Sequence, residues 1–270
     1  MKNTMRWAVL ALGVCVAGAA AGEATNLVGQ VRDWVAVSAF ADVESAYWAR
    51  GKIVDARPYS AQFADVDLKL GAFGRVGAQA WSVSSLSTGG QSARRRNAYN
   101  EVDWNLHYEY EWAFAEDWSL WNRVARQWVT LPGYFPDCKT TLEWHVAQAL
   151  RNPYLTPYYL LRHATAPERW NYWEIGAYRT FALTKDLSFT AKLFGDCGDA
   201  DHFRSQYGPR VGRPNARYHG GLMALNLVLR LDYALTENWS LFTYVQQFDI
   251  VDADAREAVK ASPAPEAKRD

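Results

Sequence analysis

Polar and apolar residues alternate one by one along most of the chain. The clearest stretch runs from Glu101 to Trp112, where six polar residues interleave with six apolar or aromatic ones. A helix would place its apolar residues three and four positions apart, so this stretch is predicted to be a β-strand with one polar and one apolar face. Residues 64–72 and 225–233 repeat the pattern.

The same alternation predicts about eleven strands, which together occupy well over half of the chain. So much strand is implausible for a soluble domain, whereas a closed membrane barrel requires it because lipid offers no hydrogen bonds to an open sheet edge. Strands of about 9 to 14 residues also match a tilted span of the bilayer. The predicted strands cover approximately residues 35–49, 61–73, 76–86, 100–112, 118–130, 140–150, 154–164, 170–181, 187–195, 221–234 and 239–250.

The connections between these strands alternate in length. Those after the even strands are short and polar, whereas those after the odd strands are mostly longer and include 87–99, 131–139 and 196–220. Outer-membrane barrels have short periplasmic turns and long outer loops. The sequence therefore predicts an all-β fold, a transmembrane antiparallel up-and-down β-barrel of about 12 strands.

The first residues have the pattern of a secretory signal peptide. Lys2 and Arg6 accompany an apolar run at 7–16, and small residues follow, with Ala19 and Ala21 satisfying an A-x-A cleavage site. The predicted organisation is a signal peptide at 1–21, an outer-membrane β-barrel at 22–250, and a flexible charged tail or last outer loop at 251–270. The expected location is the bacterial outer membrane.

Charge and composition exclude two other classes of protein. The chain has 29 basic and 29 acidic residues, and such a balance lacks the electrostatic footprint of a nucleic-acid binder. No stretch after the leader approaches the roughly 18 apolar residues of a membrane helix. Aromatic residues make up 14% of the chain. Several of them fall near predicted strand ends, where an interfacial aromatic girdle belongs, among them Trp112, Tyr154, Tyr172 and Trp239.

Two cysteines remain after the leader, which contains Cys15. Cys138 and Cys197 follow the fifth and ninth predicted strands and so emerge on the same side of the membrane. A disulfide between them is allowed by this topology, but pairing requires Cα atoms within about 7 Å, which a sequence does not fix. The pair is therefore a disulfide candidate that remains open.

The opening hairpin resembles the TorF-type porin family. Residues 43–51 read Val-Glu-Ser-Ala-Tyr-Trp-Ala-Arg-Gly, and Ser45, Tyr47, Arg50 and Gly51 fit the family's Ser-x-Tyr-x-x-Arg-Gly pattern. The resemblance to the family continues, in short motifs, at residues 100–103, Glu143 and residues 171–176. The resemblance implies an outer-membrane barrel of about twelve strands. The chain departs from the family's pattern at its C-terminal end, because eleven strands would leave the last residues outside the cell. Either a further strand lies around 24–31 or the closing strand is absent from this chain.

The polar residues offer no clear catalytic group. His107 and His145 each have a glutamate two residues away on the same face, yet no serine is placed beside either, so an enzyme is not expected. A lipid-modifying enzyme remains a third alternative that lacks an identified nucleophile. No cofactor and no metal are expected, because the acids and histidine in one loop fit no standard ligand spacing: Asp196, Asp199, Asp201 and His202.

The polar faces of the strands together form the candidate functional surface. An Arg or Lys facing lipid at midplane costs about 2–4 kcal/mol, so charged residues are expected to point inward. The fourth predicted strand contributes four carboxylates to this surface. The predicted pore-lining residues are Asp42, Glu44, Arg50, Asp65, Asp67, Lys69, Glu101, Asp103, Glu109, Glu111, Glu143, Arg162, Glu174, Lys192, Arg230 and Asp232.

The predicted function is an outer-membrane channel for passive diffusion of small hydrophilic solutes. Its acidic lining favours cations, because a lumen of one charge sign concentrates counter-ions. The alternative is a closed structural or surface-recognition barrel whose long outer loops form the contact surface, since about twelve strands lie between a filled and an open barrel. Expected partners are outer-membrane lipid and small hydrophilic solutes, with no nucleic acid. The sequence leaves the solute and the oligomeric state open.

Overall fold

Twelve strands form one closed antiparallel barrel. The computed structural model describes residues 5–18, 34–49, 52–55, 58–86, 99–131, 140–207 and 219–261. The strands are β1 (Met5–Gly18), β2 (Val35–Glu44), β3 (Tyr47–Ala49), β4 (Lys52–Asp55), β5 (Tyr59–Lys69), β6 (Arg75–Ser85), β7 (Tyr99–Ala115), β8 (Trp118–Thr130), β9 (Thr141–Arg151), β10 (Thr156–Ala166), β11 (Trp170–Ala182), β12 (Leu187–Gly198), β13 (Gly221–Ala234) and β14 (Trp239–Ile250). The described residues also include the α-helices α1 (Ala200–Tyr207) and α2 (Ala253–Ala261) and a 3-10 helix at Gly71–Phe73.

The predicted fold class is confirmed, and each of the eleven predicted strands corresponds to a strand of the barrel. The first predicted strand is shorter than expected, because a bend at Ser45 and Ala46 ends β2 at Glu44. The chain then forms the separate β3–β4 hairpin before β5 begins. The barrel order follows the chain from β5 to β14, so each hairpin packs beside the next.

The two ends of the barrel differ in the length of their connections. At one end, here called the turn end, the connections are short: 70–74, 116–117, 152–155, 183–186 and 235–238. The opposite end, here called the loop end, carries the longer connections, although 167–169 is also short. Two tight turns are each closed by a threonine side chain. Thr184 Oγ1 accepts a hydrogen bond from Leu187 N at 3.0 Å, and Thr236 Oγ1 accepts one from Trp239 N at 3.1 Å.

Strand β7 shows the two faces most clearly. Trp104 and Leu106 are 58% and 56% exposed. The alternate residues Asn105 and His107 are only 8% and 5% exposed. Successive side chains of a strand point to opposite faces, so the exposed apolar set covers the outside and the polar set lines the inside. Exposed leucines, valines and aromatic residues continue this apolar surface on the other strands.

Exposed aromatic side chains cluster at the turn end. Trp112, Tyr154 and Trp239 are 55%, 71% and 48% exposed there, as the girdle prediction requires, and Phe73 joins them at 76%. Tyr172 was expected in the same girdle, and this is wrong. Its position on β11 places it on the inner face, where it is 3% exposed.

The strand β1 closes the barrel with residues that the sequence assigns to the leader. It pairs antiparallel with β14, where Met5 lies opposite Ile250, and with β2, where Gly18 lies opposite Val37. Cleavage after Ala21 stays a prediction, and a cleaved leader does not supply this strand. The proposed further strand around 24–31 lies outside the described residues.

A helix follows the last strand, where the sequence predicted a flexible tail or outer loop. Asp252 begins α2, because its Oδ1 accepts a hydrogen bond from Ala255 N at 2.7 Å and its carbonyl accepts one from Arg256 N at 3.1 Å. Residues 262–270 lie outside the described residues. Within the part of the chain that is described, no helix has the length and apolar character of a membrane span.

We expect Leu106→Arg to lower the free energy of unfolding by about 2–4 kcal/mol, because it places a charge on the apolar outer face in the middle of β7. The same change at Leu235, an exposed residue in a turn-end connection, should cost about 0–1 kcal/mol. Denaturant unfolding in lipid vesicles, followed by tryptophan fluorescence, measures both. Equal costs at the two positions would contradict the assignment of the outer face.

Candidate functional site

The inner face of the barrel carries the predicted pore-lining residues. Each of them except Arg50, which lies outside the described residues, occupies a strand position on the polar face. Several are almost fully buried, including Glu143 at 0% and Glu109 at 5% exposure. That these residues line a pore stays a proposal, since burial on the inner face does not show an open lumen.

Glu109 lies at the centre of the strongest charge cluster on this face. The strand register places Arg75 of β6 and Arg123 of β8 directly opposite it on the two neighbouring strands. Arg75 Nε donates to Glu109 Oε2 at 2.9 Å, and Arg123 Nη1 lies 3.3 Å from Oε1. Trp121 Nε1 also donates to Oε2 at 3.1 Å. One buried carboxylate is therefore shared by two guanidinium groups.

The next row along the barrel brings Asp67, Gly77 and His107 together. Gly77 of β6 is opposite Asp67 of β5 on one side and His107 of β7 on the other. His107 Nε2 lies 2.9 Å from Asp67 Oδ1 and 4.0 Å from Asp65 Oδ1. These three side chains hold ligand atoms within 4.8 Å of one another, an arrangement that fits a metal ion.

Two further polar pairs lie nearer the loop end. Gln127 Nε2 donates to Asp103 Oδ2 at 2.5 Å, and His145 Nε2 lies 3.0 Å from Glu143 Oε2. The second pair is the histidine and carboxylate that the sequence placed on one face. Hydrolysis by nucleophilic catalysis would also need a nucleophile beside this pair.

A separate network lines the strands β10 to β14. Lys192 Nζ donates to Glu174 Oε1 at 2.9 Å, and Tyr158 donates to the same oxygen. Nearer the loop end, Asp196 accepts from the Tyr172 hydroxyl and from Asn226 Nδ2, the latter at 2.8 Å. This network follows the wall from strand to strand.

A cavity of about 240 Å³ lies on the inner face beside β2 and β14. Asp42, Glu44 and Arg230 supply its charged lining, and Phe40 and Phe242 supply aromatic rings. The Phe40 and Phe242 ring centroids are 6.1 Å apart although β1 lies between their strands, so both rings point into the barrel. Arg230 stacks over Phe242 at 4.2 Å and also binds Asp232.

The two helices pack at the loop end against the inner wall. Phe203 of α1 and Ala255 of α2 belong to a buried apolar cluster with Trp170, Met223 and Ile250. Asp199 fixes α1 to β11, since its Oδ2 accepts from the backbone and the side chain of Asn171 at 2.8 and 2.7 Å. This cluster holds the two helices against β10, β11, β13 and β14 at the loop end.

The four residues that were weighed as loop ligands and not expected to bind a metal lie at separate positions. Asp196 lies within β12 and is 1% exposed, rather than in the loop. Asp199 accepts from His202 N at the start of α1, and Asp201 pairs with Arg204 at 2.7 Å. His202 is buried against Trp170, with ring centroids 4.9 Å apart. Each of these four side chains therefore makes its own contacts with α1 or with the barrel wall, and they do not form one cluster.

Sequence reasoning missed three arginines of the inner face. Arg75 and Arg151 were assigned to turns, and Arg123 lies on β8, where apolar and polar residues mix on the inner face. With Asp196 added, the described inner face holds twelve acids against seven bases. The bases are Lys69, Arg75, Arg123, Arg151, Arg162, Lys192 and Arg230, and the acids are Asp42, Glu44, Asp65, Asp67, Glu101, Asp103, Glu109, Glu111, Glu143, Glu174, Asp196 and Asp232.

The disulfide candidate, Cys138 with Cys197, stays open. Cys197 lies near the loop end of β12 and carries no disulfide among the described residues. Cys138 lies in 132–139, outside them.

Solved structures that resemble this chain include bacterial porins. No protein-family model and no curated protein matches the chain. A BenF-like porin from Pseudomonas fluorescens Pf-5 and OpdQ from Pseudomonas aeruginosa are each 8% identical to it, with 93% of this chain and 99% of theirs covered and TM-scores of 0.36 and 0.35. A mutant Rh. blastica porin is 10% identical, with 92% and 100% covered and a TM-score of 0.22.

We expect Glu109→Gln to lower the free energy of unfolding by about 1–3 kcal/mol, because it removes the buried carboxylate that Arg123 shares with Arg75, although Arg75 keeps Asp67 at 3.2 Å. Glu111→Gln is the matched control on the same strand. Its partner Arg151 lies 2.6 Å away, but both side chains are over 40% exposed, so the loss should be below about 1 kcal/mol. Denaturant unfolding measures both variants. A Glu111 effect as large as that of Glu109 would show that the buried cluster has no special role.

Proposed function

We propose that the protein is an outer-membrane channel for passive diffusion of small hydrophilic solutes. The largely apolar outer face and the charged inner face of one closed barrel support insertion in a bilayer, since lipid-exposed backbone must be paired and most charges must be kept from lipid. Arg126 of β8 is an exception, because it lies opposite Leu106 on the outer face and stacks over the Trp144 ring. The TorF-type resemblance of the opening hairpin points to the same class. Export by the predicted leader would deliver the chain to the outer membrane, where a chain whose leader has been cleaved must close the barrel without β1.

The observation that carries the channel is the direction of the ion pairs on the inner face. The ion pairs made by Arg75, Arg123 and Lys192 each join two adjacent strands. The pair between Arg151 of β9 and Glu111 of β7 spans one intervening strand, β8. Charge pairs that follow the wall leave space along the axis, whereas pairs that cross the barrel would fill it. Twelve strands also give a wider barrel than the eight whose interior is filled by side chains alone.

A closed recognition or structural barrel is the second candidate. The specific observation in its favour is the apolar cluster of Phe203, Trp170 and Met223, which draws α1 against the wall at the loop end. A helix held there by buried apolar contacts narrows the entrance.

Single-channel recording in a planar bilayer separates the two candidates. A channel gives resolved conductance steps that increase with salt concentration. Phe203→Ala should raise the conductance if α1 narrows the entrance, because it removes the helix's 1% exposed anchor. A folded, inserted barrel without conductance in either form would favour the closed barrel and reject the channel.

The excess of acids on the inner face supports a preference for cations. Twelve acids against seven bases leave a negative lining, which concentrates cations between low-dielectric walls. The newly placed arginines reduce this excess and pair with Glu109 and Glu111 in particular. Glu101 and Asp103 are chosen for a test because they lie nearer the loop end, eight and six residues along β7 from Glu109, and each is 7% exposed.

We expect the double variant Glu101→Gln and Asp103→Asn to move the reversal potential across a salt gradient toward zero, because the lumen loses two negative charges. The shift should be larger at low salt, where screening is weaker. The control is Glu116→Gln with Asp117→Asn, which removes two exposed charges in the turn between β7 and β8. An anion-selective wild type, or equal shifts in both variants, would contradict the cation preference.

A further inference from the structure

We propose that Asp65, Asp67 and His107 form a binding site for a divalent transition-metal ion, such as Zn²⁺ or Co²⁺, on the inner wall of the barrel. Two carboxylates and one imidazole are ligands that such ions accept. The site belongs to the folded barrel itself and does not depend on whether the barrel conducts solutes.

The ligand atoms converge at distances suited to a single ion. An ion bound at about 2.0–2.2 Å to each ligand needs ligand atoms roughly 3–4 Å apart. His107 Nε2 lies 2.9 Å from Asp67 Oδ1 and 4.0 Å from Asp65 Oδ1. Small side-chain rotations therefore suffice to bring all three atoms to one ion.

The second oxygen of each carboxylate is held by a donor from β6. Gln79 Nε2 donates to Asp65 Oδ2 at 3.0 Å, and Arg75 Nη1 lies 3.2 Å from Asp67 Oδ2. These contacts aim both Oδ1 atoms at His107, as outer hydrogen bonds orient ligands in metal sites. Asp65 Oδ1 is buried and has no hydrogen-bond partner among the described residues, so one ligand position already needs a positive or donating group.

Gly77 makes this convergence sterically possible. Adjacent strands lie about 4.8 Å apart, so Asp67 and His107 are separated by two such spacings and must reach over the residue between them. A Cβ at Gly77 would strike Asp67 Oδ1 and would lie 2.5 and 2.6 Å from two atoms of the His107 ring. Any other residue at 77 would thus push the two ligands apart.

The ion would have three protein ligands and a further position facing the lumen. His107 is fully buried at its side chain, whereas Asp65 retains 13% exposure, so access is from the Asp65 side. The imidazole nitrogen favours Zn²⁺, Co²⁺ or Cu²⁺ over Mg²⁺ and Ca²⁺, which prefer oxygen ligands. Arg75 and Arg123 lie nearby and oppose cation binding, so the affinity is expected to be moderate.

Titration of the folded full-length barrel with Co²⁺ tests the site. The protein must lack a polyhistidine tag, and the visible absorption of bound Co²⁺ reports ligation by the protein. We expect saturable binding of one ion that excess Mg²⁺ does not displace. Asp65→Asn and His107→Gln should each weaken it at least tenfold, since even outer-shell partners contribute about 10–100-fold. Gln79→Ala, which frees Asp65 Oδ2, should weaken it about tenfold and alter the spectrum.

His145→Gln is the control variant. It removes another inner-face histidine that is 3.0 Å from a carboxylate, but it lies outside the cluster and should leave Co²⁺ binding unchanged. Heat-modifiable migration on gels confirms that each variant is folded. Pulsed EPR of Cu²⁺-loaded wild type needs no variant and should detect one bound imidazole. Absence of saturable binding, binding insensitive to Asp65 and His107, or Cu²⁺ bound without imidazole would overturn the proposal.

Discussion

Closure of the sheet is the constraint on which the rest of this structure depends. A strand that faces lipid has no water to bond its backbone, so each edge must find another strand, and only a closed barrel leaves no edge. Pairing on both sides fixes the register of each strand, and the pleat then sends alternate side chains outward and inward. The apolar exterior, with Trp104 and Leu106, and the polar interior, with Asn105 and His107, are therefore two results of one geometric requirement.

Much of the fold could be predicted from the sequence because the alternation is local. The pattern from Glu101 to Trp112 shows both the strand and its inner face without knowledge of any other strand. Contacts between strands depend on register, which the pattern does not contain. The match of Arg75 and Arg123 to Glu109, and of Asp67 to His107 across Gly77, follows only from the pairing of β5 to β8.

Prediction from alternation fails where the inner face of a strand carries both polar and apolar residues, and where a residue lies near the end of a strand. Arg123 lies on an inner face that also carries Trp121 and Ala125, so no clean alternation marks it. Asp196 was assigned to the loop 196–220, yet β12 continues to Gly198 and buries Asp196 beside Tyr172. Tyr172 was misplaced for a related reason, since a position near a strand end does not tell which face an aromatic ring occupies.

The segment that forms β1 has two incompatible roles, as a cleavable leader and as a strand of the barrel. As a leader, the apolar residues of 7–16 are removed, whereas as β1 they separate β14 from β2. Both neighbours run antiparallel to β1 and hence parallel to each other, so a barrel without β1 must join two parallel strands or take its twelfth strand from elsewhere. β1 also places Met5 at the loop end, opposite to the turn end at which β2 begins. The alternation of faces from β2 to β14 is independent of which solution the mature protein adopts.

The central claim is that alternate residues of each strand face lipid and lumen, and spin labels along β7 test it most directly. After Cys15, Cys138 and Cys197 are replaced by serine, single cysteines at positions 101–112 are labelled in vesicles, and collision with oxygen and with a water-soluble nickel complex is measured by EPR. We expect a period of two, with oxygen contact highest at the even positions such as Leu106 and nickel contact highest at the odd ones. An absent period, a period near 3.6, or the opposite phase would contradict the barrel described here.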